Sequence, residues 1–214
     1  MSMKHRIGAA GVCVVLATLV AGNLEATTLQ RMDLPEIVET ADRVVHARVL
    51  DRRSYWDEAR TQIFTDTDFE VLDQAKGDGP RFLTITLLGG TVGIIDMIVP
   101  GTPVFDIDEE VVLFTEPRPD GRKHLVGLSQ GVMRIVHDPA SGEPVAVSGV
   151  HGGVSYLEPV EGTLRTVRAR SQRVPLRHLM DGVRAMVQGN REAHPLFSDT
   201  PESPVKRPGG RNRR

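Results

Sequence analysis

The chain has 214 residues, of which 40% are hydrophobic and 25% charged, with a formal net charge of −2 and one cysteine. That length suits one domain with an appended element. The charge balance lacks the strongly basic face of a nucleic-acid binder, so nucleic acid is excluded as a partner.

The first segment sets the context. Lys4, His5 and Arg6 precede an uncharged apolar run, Ile7 to Gly22, and Ala26 offers a small residue for cleavage. This order reads as a secretory signal peptide over residues 1–26, with a cut after Ala21 as the alternative site. The run is shorter than the roughly 20 residues of a membrane-spanning helix, which disfavours the other reading, an uncleaved anchor. The expectation is an exported protein, periplasmic or extracellular, with no transmembrane segment after cleavage. Cys13 leaves with the signal, so the mature chain has no disulfide, no thiol catalysis and no cysteine-ligated zinc. Such a domain must be stabilised by burial.

Asp33-Leu34-Pro35-Glu36 carries a helix N-cap, a proline in the first turn and a glutamate at the reciprocal capping position. Leu34, Ile37, Val38 and Ala41 follow at helical spacing, predicting a short helix over 34–41. The period then becomes two. Residues 43–50 and 61–72 alternate apolar with polar side chains, and 82–88, 110–115 and 124–136 read as three more strands. Glycine- and proline-rich turns separate them, among them Lys76-Gly77-Asp78-Gly79-Pro80 and Pro100-Gly101-Thr102-Pro103. Residues 145–147, 154–157 and 163–169 give weaker strand patterns. Leu176, Leu179, Met180, Val183, Met186 and Val187 form an apolar stripe behind Pro175, predicting a second helix over 175–188. The stretch 198–214 is basic and nearly free of apolar residues, which reads as a disordered tail.

Five consecutive strands with a helix at each end predict a mainly β protein built on a small closed antiparallel barrel of the OB or netrin-like kind. The helices are a short one before the barrel and a longer one after it. The predicted organisation is 1–26 signal peptide, 27–138 barrel core, 139–197 added strands and helix packed on the barrel, and 198–214 tail.

Chemistry is sparse. Gly89-Gly90-Thr91-Val92-Gly93 lacks the lysine and the following helix of a phosphate loop, so a tight turn or bulge explains the glycines more simply. Asp66, Asp68 and Glu70 share one face of a strand and are weak candidates for a metal site, with a solvated polar face as the commoner cause. The six histidines of the mature chain are dispersed, no HExxH is present, and neither metal nor cofactor is assigned. Tyr55 and Trp56, adjacent aromatics between the first two predicted strands, fit either a contact surface or a cap on the barrel end. Together with Gly89, Gly90, Gly93 and Asp96 they form the candidate contact surface.

Several short motifs follow one another in order: Ala41-Asp42-Arg43-Val44-Val45, Ile63-Phe64-Thr65-Asp66, Lys76-Gly77, Gly89-Gly90-Thr91-Val92-Gly93, Val99-Pro100-Gly101, Glu109-Glu110-Val111-Val112-Leu113-Phe114, and Val126-Gly127-Leu128-Ser129-Gln130-Gly131. On these, the stretch 41–138 resembles a poorly characterised domain of exported bacterial proteins. Their order is also similar, at the level of fold, to the netrin-like barrel of tissue inhibitors of metalloproteinases. The inhibitors' disulfide-held, zinc-chelating amino-terminal cysteine has no counterpart in the mature chain, so that mechanism does not carry over, and fold alone does not supply function. The sequence favours an exported non-catalytic binding module that contacts a protein or a cell-envelope component. An exported hydrolase, metal-assisted or not, and a structural envelope protein stay open as alternatives.

Overall fold

The computed structural model describes residues 28–118, 122–148, 155–160, 163–168 and 171–190. The expected signal peptide and basic tail lie outside them. Strand β1 (Thr28–Gln30) precedes helix α1 (Leu34–Thr40). Two long strands follow, β2 (Arg43–Trp56) and β3 (Ile63–Lys76), then β4 (Phe82–Leu88) and a small hairpin of β5 (Gly90–Val92) and β6 (Ile95–Met97). Next come β7 (Glu110–Pro117), β8 (Lys123–Leu125), a 3-10 turn (Leu128–Gly131), β9 (Val132–His137) and β10 (Pro144–Val147). β11 (Ser155–Val160), β12 (Thr163–Arg168), β13 (Arg173–Pro175) and helix α2 (Leu176–Val187) follow.

The protein is mainly β, with a large antiparallel sheet and two helices. The sheet order is β13-β10-β9-β7-β2-β3-β4, with β8 paired to β7 beside this path. No hydrogen-bonded ladder joins the two ends of that order among the described residues, so the sheet is an open path. β1, β11 and β12 form a separate three-stranded sheet, and β5–β6 a two-stranded one.

Both faces of the large sheet are covered, and each has its own core. Leu34, Ile37 and Val38 of α1 and Leu179, Met180 and Val183 of α2 bury one face, against Val44, Val112, Phe114 and Met133. The opposite face encloses Val45, Ala47, Val49, Phe69, Leu83, Ile85, Leu87, Phe105, Val111 and Leu113. This explains the unbroken apolar run of β7: Val112 and Phe114 face the helices while Val111 and Leu113 face the inner core. A strand buried on both faces loses the polar alternation of a half-solvated one. Phe69 and Phe105 meet edge to face, with ring centroids 5.1 Å apart.

Helix α1 starts where its cap residues place it: Asp33 Oδ1 accepts from the Glu36 amide at 2.9 Å. Other expectations need correction. Residues 124–136 form two strands, not one, because Gly127 and Leu128 take left-handed conformations, φ +57° and +56°, that turn the chain into the 3-10 segment. β2 runs on to Trp56 instead of ending at Leu50. Tyr55 and Trp56 therefore sit in a strand, opposite Phe64 and Ile63, and not in a loop. Ladder pairing keeps residues 51–56 extended although they carry no apolar alternation. Bulges between Val44 and Val45, between His46 and Ala47, and between Val49 and Asp51 bend the β2–β3 ribbon.

The start of that ribbon is tied down by a buried cation. Arg43 is 3% exposed. Its Nε donates to Gln74 Oε1 and its Nη2 to the Pro80 carbonyl, each at 2.9 Å. Asp42 accepts from Thr115 Oγ1 at 2.9 Å and pairs with Lys123, so β7 and β8 join the same cluster. Lys76 Nζ donates to the carbonyls of Val38, at 2.6 Å, and Glu39, at 3.1 Å, satisfying the end of α1. Gly77 (φ +72°) passes so close that a Cβ there would lie 2.3 Å from the Asp42 carbonyl oxygen. Arg43→Met removes the donors and leaves buried acceptors unpaired. The expected loss is roughly 3 kcal/mol, or some 6–12 °C in Tm, read by thermal unfolding of the protein. Arg43→Lys keeps the charge without the forked donors and is expected to fall between the two.

Candidate functional site

The far end of the β2–β3 ribbon is built differently. A cavity of about 580 Å3 opens there, between the strands, the β5–β6 hairpin and the loop of residues 98–105. Its apolar side continues the inner core: Leu87 and Phe105, then Met97, Val99, Pro103 and Val104. Its polar side is Arg52, Ser54, Thr65 and Thr67, alternate residues of the two strands that share one face.

Two glycines let the hairpin fold over this wall. Gly89 and Gly90 have φ of +107° and +129°. A Cβ on Gly89 would lie 2.9 Å from the Met97 carbonyl oxygen, and one on Gly90 would lie 2.1 Å from Thr65 Oγ1 and 2.5 Å from Ser54 Oγ. The segment predicted as a turn is thus a folded-back hairpin, with Gly93 (φ +63°) near its tip. Thr91 Oγ1 donates to Asp96 Oδ1 at 2.9 Å across it.

The hydroxyls of the polar wall have a fixed direction. Thr65 Oγ1 donates to the Gly89 carbonyl at 2.6 Å, which commits its only proton. Ser54 and Thr65 are 2.8 Å apart, so Ser54 donates to Thr65 and keeps its own lone pairs uncommitted. Arg52 Nη1 donates to the Phe105 carbonyl at 2.6 Å and anchors the 98–105 loop to β2.

Large apolar side chains stand exposed on the hairpin and on the chain that follows it, and two of them, Ile98 and Val104, line the cavity. Ile94 is 99% exposed, Ile98 82%, Val104 66%, Ile107 53% and Ile95 48%. Surface hydrophobes scattered singly need no explanation, whereas several gathered around one cavity mark a contact surface.

Among the residues singled out from sequence, Gly89, Gly90 and Asp96 line this cavity and Gly93 lies at the tip of its lid. Trp56 alternates in phase with Ser54 and so shares the cavity's face of β2, while Tyr55 lies on the opposite face. There its hydroxyl donates to Asp66 Oδ1 at 3.2 Å and its ring tilts against Phe64, centroids 6.4 Å apart. Burial, and then the adjacent Asp66 carboxylate, raise the Tyr55 pKa. Tyr55 and Trp56 therefore point to opposite faces of β2.

Asp66, Asp68 and Glu70 share the face of Tyr55, each on its own partners. Asp66 also accepts from Thr86 Oγ1 at 2.7 Å, Asp68 from Thr84 Oγ1 at 2.5 Å, and Glu70 pairs with Arg81. Among the described residues no group of three His, Cys, Asp or Glu side chains is placed to hold a metal ion. Arg52, Ser54, Thr65 and the exposed isoleucines were not singled out from sequence. The available signal was a run of apolar residues, Ile94-Ile95-Asp96-Met97-Ile98-Val99, lying between glycines and Pro100 without a core-forming period.

In comparisons with known proteins, no family model matches the chain and no curated protein matches it. The site stands on its geometry.

If the glycine pair sets the lid, Gly90→Ala must displace the hairpin or strain it. A loss of about 2 kcal/mol is expected in chemical denaturation, with shifted amide resonances for Ser54 and Thr65. Gly93→Ala places its Cβ in open space, so only its left-handed φ opposes it, about 1 kcal/mol, and those resonances stay in place.

Proposed function

We propose that this protein is an exported, non-catalytic binding module whose contact surface is the open end of the β2–β3 ribbon, and that its partner is a protein or a component of the cell envelope. The single observation that carries this reading is the exposure of Ile98 and Val104, which line a formed, partly apolar cavity, together with that of Ile94 and Ile95 on the hairpin that covers it. Leaving such residues in water is unfavourable in the free protein, and covering them on binding recovers that free energy. Pockets of this volume, apolar with a few oriented polar groups, are typical of ligand sites. The polar wall offers hydroxyls and one arginine, without a nucleophile paired to a base.

The fold is read as a curled sheet of OB or netrin-like type. In this reading closure runs through side chains: Leu83, Ile85 and Leu87 of β4 share one core with Leu125 of β8, beside which β4 lies. Export, to the periplasm or the exterior, is part of the same proposal and rests on the basic-apolar-small order of residues 1–26. Among the described residues no helix is long and apolar enough to cross a membrane.

The test compares wild type with an Ile94→Ser, Ile98→Ser, Val104→Ser triple variant in pull-downs from the native envelope fraction. These side chains are exposed, so Tm is expected to move little, while the captured partner is lost. Tyr55→Ala, on the opposite face, is expected to keep it. Retention of the same partner by the triple variant would remove this end of the molecule from consideration.

A further inference from the structure

We propose that the open end binds an extended polypeptide segment, which adds as a strand to the free edge of β2 and places an apolar side chain in the cavity. This rests on the reading of that end as a binding surface and names what it binds.

The edge is visible in the pairing. β2 is paired with β7 over Arg43–Arg48, whereas its ladder with β3 continues to Trp56. From Asp51 to Trp56 one side of β2 therefore has no strand against it among the described residues. The phase of that edge follows from neighbouring hydrogen bonds. The Gly89 amide donates to the Ile63 carbonyl at 2.7 Å, so the backbone of Ile63 points toward the β4 side of β3. Groups alternate along an antiparallel ladder, so Phe64 and Asp66 point toward β2 and bond with their partners Tyr55 and Arg53. The N–H and C=O of Ser54 and Trp56, lying between, face outward. Arg52 sits in the same phase, and its amide is already taken by Asp51 Oδ1 at 2.8 Å.

Side-chain direction links this edge to the cavity. Residues directly opposite each other on neighbouring strands project to the same face. Ser54 lines the cavity. A residue of an added strand opposite Ser54 therefore points its side chain into that space, toward Leu87, Met97 and Phe105. Its apolar neighbours meet Ile98 and Val104 at the mouth. The three features call for different groups: the edge needs N–H and C=O in extended register, the cavity an apolar side chain, and the rim further apolar surface. An extended peptide supplies all three at once. A free hydrocarbon ligand fills the cavity and leaves the edge unpaired.

The probe is a capped seven-residue peptide of alternating threonine and valine with a central leucine, titrated into the mature protein. Trp56 is the only tryptophan, so its emission reports from the site itself. Saturable binding is expected. N-methylating two amides on one edge of the peptide should weaken it about thirtyfold, the value of two net hydrogen bonds, while methylation on the other edge leaves affinity unchanged. Replacing the central leucine by aspartate should abolish binding. Ser54→Pro deletes an outward donor where edge strands accept proline, so its affinity should fall well below that of Ser54→Ala, which loses only the hydroxyl bonded to Thr65. Equal affinity for both methylated peptides, or no binding of the parent peptide while the rim variant still loses its partner, overturns strand addition and leaves the binding surface standing. Retention of the partner by the rim variant overturns the surface as well.

Discussion

Arg43 is the interaction on which the rest of this structure depends. A buried guanidinium is costly unless its donors are used, and here they are spent on the Gln74 side chain and the Pro80 carbonyl. Those bonds fix the turn after β3 against the start of β2. Asp42 extends the cluster to β7 and β8, and Lys76 extends it to the end of α1. Arg184 of α2 adds a tie of its own, bonding both oxygens of Asp73 at 2.6 and 2.7 Å. Helices, ribbon and central strand are thus registered to one another at one end of the sheet, by polar contacts that apolar packing alone would not specify.

With that end held, the other is free to be unlike a core. β2 and β3 leave the helices behind at the bulges, roughly 35 Å of strand separating Arg43 from Ser54. Beyond them the ribbon carries a cavity in place of packed side chains, a glycine-hinged hairpin in place of a strand, and isoleucines in water. Sequences that fold well satisfy local preferences nearly everywhere, and the places where they do not are where function is expected. The departures of this chain gather at one end: two adjacent glycines at positive φ, a strand edge unpaired among the described residues, and exposed apolar side chains beside a cavity.

Much of the scaffold was legible. The Asp33 cap, the strand alternation around Val45 and Phe69 and the apolar stripe of α2 each express a local period, and local periods can be read from sequence. The motifs Ala41-Asp42-Arg43 and Lys76-Gly77 were legible as words but not as a device. Arg43 and Pro80 are 37 residues apart, and only the fold makes them neighbours. The extension of β2 through Trp56 was hidden because pairing, not burial, keeps residues 51–56 extended. The site was half visible. Its glycines announce special backbone, but whether they make a turn or a folded-back lid depends on Ser54 and Thr65 across the sheet. Among the described residues the large sheet also forms no closed ladder, since strand count and spacing do not determine whether two edge strands meet.

Labour is divided along one ribbon, between a latched end that carries stability and an open end whose strand edge is unpaired among the described residues. Amide hydrogen exchange on the isolated protein tests this division most directly, because protection reports local opening residue by residue. Val44, Val45 and Ala47 should exchange near the limit set by global unfolding. Ser54 and Trp56, with outward amides, should exchange many times faster than Tyr55 between them, whose amide faces β3. Equal, core-like protection at Ser54, Tyr55 and Trp56 would mean that the edge is already filled, and would contradict the account.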